Sequence, residues 1–529
     1  MRSWSWTRAL AVAVAVASTC SIHTPRARSS QPEVAPAGGA GTGAVVPAPE
    51  PVPEGDADAR IDWLNRRVKQ IVAERGVLLP GARIGIAVMD LQSGRMLVEL
   101  DADGQFNTAS NTKLITGAAA LALLGSDYRY YTAFYGLEVD PLGTLKGDLH
   151  LRERGDPSLG TSELIALTRE LRQNGVRKIE GRIVLDTDYF DRRELPPHFD
   201  EKPKDNAPYR APVSATSLNF NAVSISLRPA PLGIGPVEVI IDPPNDYVVI
   251  EGTVETVTTG RTRIQMETKP GRTSKDNLTL TITGQLRLDD GVKTYRRRVP
   301  DPVLYVGSAL RHALLASGIQ IAKKKVITGE VPKLAKPLAW RVSEPLAVLV
   351  RGLGKYSNNF VAEMLLKTIG AETRTDKTKP ATWDDGLRAV RGWLEGTIGW
   401  KADGYYYGNG SGLYASNRFT PRQLVQLLAA AHRDFRWGPD LIASLSIAGV
   451  DGTISRRMAR GPAAGLVRAK TGTLDSVSTL SGYIATDGRS PLAFAVLVNG
   501  FTDEAADNAR LLQNDVCEAA IPFLQAAAR

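Results

Sequence analysis

Apolar positions follow three different rhythms along this chain. Ile61, Leu64, Val68, Ile71 and Val72 recur at helical spacing, and Gly76 can end that helix. Ile84, Ile86 and Val88 then alternate, Gln92-Ser93-Gly94-Arg95 supplies turn residues, and Met96, Val98 and Leu100 alternate again, which predicts a hairpin. A run of small and apolar residues starts within Ala109-Ser110-Asn111-Thr112-Lys113-Leu114 and predicts a helix. From about residue 128 to 345 the pattern changes to short alternating strands, such as 237–241 and 278–282, with helical spacing only near 162–173 and 302–317. Helices return at 345–353, 359–369, 384–394 and 421–434, the last with Thr420 placed as N-cap and Pro421 in the first turn. Strands around 466–470, 479–485 and 492–499 and a helix over about 504–527 end the chain. The expected architecture is α+β: helices, an antiparallel sheet and a closing helix, interrupted by a β-rich insertion of one or two small domains that divide near 229–236.

At 529 residues the chain exceeds the length at which single cores stop growing, so more than one domain is expected. The charged fraction of 23% is ordinary for a globular protein, and no internal run reaches the roughly 18 apolar residues of a membrane span. The net charge of +9 comes from scattered Lys and Arg, without zinc-finger spacing or an aromatic RNA-binding signature, so nucleic acid is not an expected partner. A basic surface would still attract an anionic polymer or a membrane surface. Arg2 and Arg8 precede the apolar stretch 9–17, and small residues follow, which is the layout of a secretory signal segment over 1–22. Cleavage after Ala17 is one reading. Alternatively Ala17-Ser18-Thr19-Cys20 resembles a degenerate bacterial lipobox, which would make Cys20 a lipid-modified anchor. Residues 23–57, rich in Pro, Ala and Gly, read as a tether. Only Cys517 remains, in an apolar-periodic helix, so no internal disulfide is expected.

On a helix, Lys113 lies three residues beyond Ser110 and so within side-chain reach of its hydroxyl. Serine is a weak nucleophile until a neighbour takes its proton, and a lysine can do that when desolvation or nearby cations lower its pKa. A bare S-x-x-K occurs easily by chance. Two further elements change the balance. Ser357-Asn358-Asn359, at the head of a helical run, offers a second hydroxyl and an amide. Lys470-Thr471-Gly472-Thr473, on an apolar strand, offers a cation and hydroxyls suited to a carboxylate, and Gly472 would let a substrate backbone approach closely. S-x-x-K, S-x-N and K-T-G in that chain order are the set described for penicillin-binding proteins and class A β-lactamases. The five histidines are scattered, with neither a Gly-x-Ser-x-Gly elbow nor metal-ligand spacing, so no metal is expected.

The spacing discriminates further: 247 residues separate Ser110 from Ser357 and 113 separate Ser357 from Lys470. In this the sequence resembles the D-Ala-D-Ala carboxypeptidases of the penicillin-binding protein 4 type, peptidase family S13. Gly155-Asp156-Pro157-Ser158-Leu159, Ala211-Pro212, Leu218-Asn219, Gly410-Ser411-Gly412-Leu413 and 448–453 look like the same family. The resemblance implies a penicillin-binding-protein/β-lactamase-like transpeptidase domain over 58–135 and 340–529, interrupted by inserted domains at 136–230 and 231–339. It also implies roles. Ser110 attacks the bond between two D-alanines of a peptidoglycan stem peptide, Lys113 takes its proton, and Ser357 with Asn359 relays protons and holds the substrate amide. Lys470 and Thr471 bind the terminal carboxylate, the backbone N–H groups of Ser110 and Thr473 form the oxyanion hole, and β-lactams acylate Ser110. No cofactor is implied. Asp205 is expected to contact a cationic peptide side chain, and the location implied is the periplasm or cell envelope, with peripheral or lipid-mediated membrane attachment as a further expectation. Asn409 and Asn358 stand where the family often has Asp. The rival readings are a β-lactamase-like acyl hydrolase, which lacks an evident deacylating Glu motif here, and a non-catalytic wall-binding scaffold.

Overall fold

The computed structural model describes residues 50–526 apart from 203–204, 271–276 and 416. Cys20, the expected signal segment and most of the expected tether lie outside the described residues. The hairpin forms as strands Arg83–Asp90 and Met96–Leu100 and makes one edge of a six-stranded antiparallel sheet. The order continues through Leu492–Asn499, Val477–Ile484, Val467–Leu474 and Ser446–Ile447. Alternate residues feed two cores. Ile86, Val88, Phe494, Val496 and Val498 join the core shared with helices Ala57–Gly76 and Ala506–Ala526, which also holds Cys517. Ala87, Met89, Ala493, Ala495 and Leu497 join a second core around helix Thr112–Leu124. A strand covered on both faces cannot show polar alternation, and Val477–Ile484 is buried at every position.

Helix Thr112–Leu124 is buried from Thr112 to Leu121 and packs against helices Leu346–Tyr356, Asn359–Thr373 and Gly438–Ser444. Its small residues, Gly117, Ala118, Ala119 and Ala120, let these helices approach. Helix Pro421–Arg433 starts as its sequence indicates: the Thr420 hydroxyl accepts from the Gln423 N–H, and the Gln423 side chain returns to the Thr420 N–H. At the other end of the chain, the Trp63 indole donates to the Glu50 carbonyl (3.0 Å) and Val52 packs on the core. Residues 50–56, read as tether, are therefore already held against the body.

The insertion is nested. Strands Val326–Thr328 and Lys336–Val342 complete a five-stranded sheet begun by Tyr131–Gly136, Leu149–Arg152 and Ile183–Asp186. Pairing thus runs across the expected division between 136–230 and 231–339. A three-stranded sheet (Glu238–Asp242, Ala222–Arg228, Lys293–Arg298) and a five-stranded one around Leu278–Arg287 lie between. One buried cluster holds Phe134, Leu151 and Leu185 together with Leu310 on helix Pro302–Ala316 and with Val254, Leu280 and Leu286.

Candidate active site

Ser110 sits in a 3-10 turn, Ala109–Asn111, that leads into helix Thr112–Leu124. Ala109 is held at φ 44°, a costly conformation for a residue with a Cβ, and its N–H donates to the Asn107 side chain (2.9 Å). Lys113, 2% exposed, places Nζ 2.8 Å from Ser110 Oγ, 2.7 Å from Asn359 Oδ1 and 2.7 Å from the Ser411 carbonyl oxygen. Burial, followed by repulsion from Lys470, holds the Lys113 pKa well below the usual lysine range, against an opposing pull from the Glu363 carboxylate. The partner chemistry decides what a neutral Lys113 does. Two of its partners can only accept, so a neutral amine gives them its two N–H bonds and turns its lone pair to the one partner that can donate, the Ser110 hydroxyl.

Ser357 ends helix Leu346–Tyr356 in the left-handed conformation (φ 58°), and Asn358 caps the next helix, its side chain accepting from the Val361 N–H (3.3 Å). Asn and Asp cap about equally well, which accounts for Asn358 locally. Asn359 then opens helix Asn359–Thr373, its Nδ2 donating to the Tyr209 carbonyl (3.1 Å) while its oxygen accepts from Lys113. Lys470, 1% exposed, donates to Ser357 Oγ (2.8 Å) and to the Thr471 carbonyl (2.8 Å), and burial lowers its pKa to about 7. The Thr471 hydroxyl donates to Thr453 Oγ1 (2.8 Å). Strand Ser446–Ile447 pairs with Arg468 and Ala469, so among the described residues the edge beside Thr471–Leu474 carries no strand partner. Gly472 is needed for fit inside the protein: a Cβ there would lie 2.7 Å from the Thr108 carbonyl oxygen and 3.0 Å from the Ser110 nitrogen.

A cavity of about 890 Å³ is lined by Ser110, Asn359 and Thr473 together with Tyr209, Tyr414 and Arg510. Lys202 and Asp475, both among its lining residues, form an ion pair (2.8 Å). Asp205 stands one hydrogen bond back from the cavity: its carboxylate accepts from the Tyr209 hydroxyl (2.5 Å) and the Ala207 N–H (2.9 Å). Asn409 is buried, donating to the carbonyls of Pro197 (3.2 Å) and Leu413 (3.3 Å) and accepting from the Gly412 N–H (2.9 Å). An Asp there would set a charge against two carbonyls, so this chain's Asn suits its own loop. Asp156 is a turn residue, accepting from the Ser158 N–H and paired with Arg341.

The sequence reading assigned no role to Glu363, the Ser411 carbonyl, the Tyr209 carbonyl or Thr453. Glu363 is four residues beyond Asn359 and so on the same helix face, a spacing that could have found it. Carbonyl partners leave no side-chain signal. Among the described residues, no group of three or more His, Cys, Asp or Glu is placed to hold a metal ion, and no helix is long and apolar enough to cross a membrane.

Known proteins resemble the chain over most of its length. The model of the D-Ala-D-Ala carboxypeptidase 3 (S13) family matches residues 64–521. A D-alanyl-D-alanine carboxypeptidase of Actinomadura sp. (strain R39) is 33% identical over 463 residues, covering 84% of this chain and 83% of the relative. The crystal structure of penicillin binding protein 4 from Haemophilus influenzae superposes with a TM-score of 0.69 at 24% identity, covering 84% of this chain and 99% of that one. The same protein complexed with a β-lactam gives a TM-score of 0.67 at 23% identity, with the same coverage.

Proposed function

From its membership of the D-Ala-D-Ala carboxypeptidase (S13) family, to which this chain belongs, we infer a serine D-alanyl-D-alanine carboxypeptidase that acts on peptidoglycan stem peptides through an acyl-enzyme on Ser110. The observation that carries this reading is the wiring of Lys113, whose two obligate acceptors leave its lone pair to the Ser110 hydroxyl. Ser110 Oγ attacks the carbonyl carbon of the penultimate D-alanine as its proton passes to Lys113. The N–H groups of Ser110 and Thr473 hold the oxyanion, a charge present only in the tetrahedral state. Asn359 holds the substrate amide, and the proton taken by Lys113 is returned through the Ser357 hydroxyl, bonded to Lys470, to the departing D-alanine nitrogen as the C–N bond breaks. Lys470 and Thr471 take the terminal carboxylate. The partner-free edge beside Thr471–Leu474 lets an extended peptide add as a strand, the cheapest way to satisfy its backbone groups. Water then releases the acyl group from Ser110.

A β-lactam has the same carbonyl and carboxylate, so it acylates Ser110 as well. Asp205, through Tyr209, shapes the wall that meets the peptide side chain. Export through the 1–22 segment brings the enzyme to its polymer, with cleavage after Ala17 or, in the alternative reading, lipid attachment at Cys20. The same fold with room for a cross-linked peptide would also open cross-links as a DD-endopeptidase. Incubation of the folded protein with a penicillin, followed by intact-mass and peptide analysis, tests the reading. The expected adduct lies on the peptide carrying Ser110 and is absent in Ser110→Ala, with D-alanine released from a pentapeptide. An unmodified Ser110 would sink it, and rapid antibiotic turnover without D-alanine release would point to a lactamase instead.

A further inference from the structure

Building on that acyl-transfer reading, we propose that Glu363 is a positioning residue of the proton-transfer site: by clamping the 410–411 peptide it aims the Ser411 carbonyl at Lys113 and so turns the amine's lone pair towards Ser110. Glu363 is 1% exposed, one helical turn beyond Asn359 on helix Asn359–Thr373. Its two oxygens accept separately, Oε2 from the Gly410 N–H (3.0 Å) and Oε1 from the Ser411 N–H (2.7 Å). The Ser411 N–H and the Gly410 carbonyl belong to one peptide plane, and that carbonyl accepts from the Thr116 hydroxyl on the opposite helix (2.6 Å). The plane is therefore fixed at both ends. Gly410 lets the loop lie against helix Asn359–Thr373, since a Cβ would come within 2.8 Å of the Ala362 carbonyl oxygen. One residue on, the Ser411 carbonyl reaches Lys113 at 2.7 Å.

A neutral amide cannot replace this carboxylate. Glutamine has one oxygen for two N–H donors and would turn its own N–H bonds against the other. A buried carboxylate is costly unless hydrogen-bonded, and here both oxygens are. The charged and titratable groups that act on Glu363 and Lys113 are each other, Lys470, and Tyr407, whose carbonyl accepts from Arg391. Of these, Glu363 is the charge that opposes the neutral form of Lys113. The clamp and the charge thus leave different marks on the reaction.

Acylation of the full chain by a penicillin, followed against pH, separates them. In Glu363→Gln the rate at neutral pH should fall about 10- to 100-fold. The acid limb, where Lys113 must lose its proton, should move to lower pH by about one unit. Glu363→Asp, which keeps the charge with a shorter reach, should lose rate while the limb stays in place. A Glu363→Gln enzyme of wild-type rate overturns the proposal, and so does a slow one with an unmoved limb, which would mark Glu363 as merely structural. Should Glu363→Gln fail to fold, Thr116→Val removes the other anchor of the same peptide plane and should slow acylation without moving the limb. A wild-type rate there overturns the proposal. The parent reading fails on different evidence, the absence of any Ser110 adduct in the unaltered protein.

Discussion

Lys113 and Lys470 are both buried, yet their neighbours set them different tasks. Lys113 has two obligate acceptors and a hydroxyl, and burial with repulsion from Lys470 favours its neutral form. Lys470 donates to one hydroxyl and one carbonyl, and burial lowers its pKa to about 7. Below that value it is a cation able to pair with a substrate carboxylate, and above it the pairing is lost. A bound carboxylate favours the cation, so the loss belongs to the free enzyme. For D-alanine release from a pentapeptide, kcat/KM should therefore fall as pH rises through about 7, while kcat does not fall there. Lys470→Arg, whose charge persists at every working pH, should abolish that limb. A limb unchanged in Lys470→Arg would assign it to another group. The two lysines and two serines were legible from motif order because their chemistry resides in side chains. Glu363 was not, because its partners are backbone N–H groups 47 and 48 residues away, brought in by tertiary folding alone.

Between elements, the strand Val467–Leu474 meets the Ser110 turn at Gly472, where a Cβ would run into Thr479 Oγ1 as well as against the backbone of the turn. The sequence reading explained Gly472 by the approach of a substrate, but the structure gives it a prior task, admitting the Thr108 carbonyl and the Ser110 nitrogen. That requirement is invisible in sequence, since it arises between segments 362 residues apart. Gly472→Ala should push the turn and strand apart at a cost of about 1–3 kcal/mol, the usual range for overpacking. Displacing the Ser110 N–H relative to Thr473 should slow penicillin acylation by about 100-fold. Thermal melting and acylation kinetics on the same preparation check both, and an Ala variant that acylates at the normal rate would show that the fit is loose. Helix starts were more legible, because Thr420, Pro421 and Gln423 act within a few residues of one another. Strand Val477–Ile484 was read two residues late, since a doubly covered strand offers no alternation to mark its start.

For the whole molecule, the two-sided sheet with its helices could be read from periodicity, whereas the nesting of the insertion could not. Strands of two and three residues, such as Gln320–Ile321 and Val326–Thr328, carry too little pattern to say which earlier strand they join. The insertion also reaches the catalytic body at defined points. The Arg193 carbonyl accepts from the Trp383 indole (2.7 Å) and from Lys367 (3.0 Å), and the Tyr209 carbonyl accepts from Asn359. Within it, one buried cluster holds Leu185, Leu286 and the fully buried Leu310. A single core predicts a single cooperative unit, because a defect anywhere in it weakens all the strands that share it. Leu310→Ala should cost about 2–5 kcal/mol. In hydrogen-exchange measurements, peptides covering Ile183–Asp186 and Leu278–Arg287 should then lose protection together, while Val467–Leu474, whose Val467 and Ala469 belong to another core, keeps its own. Loss confined to one of the two insert strands would instead mean two modules that open independently, despite the pairing across their expected division.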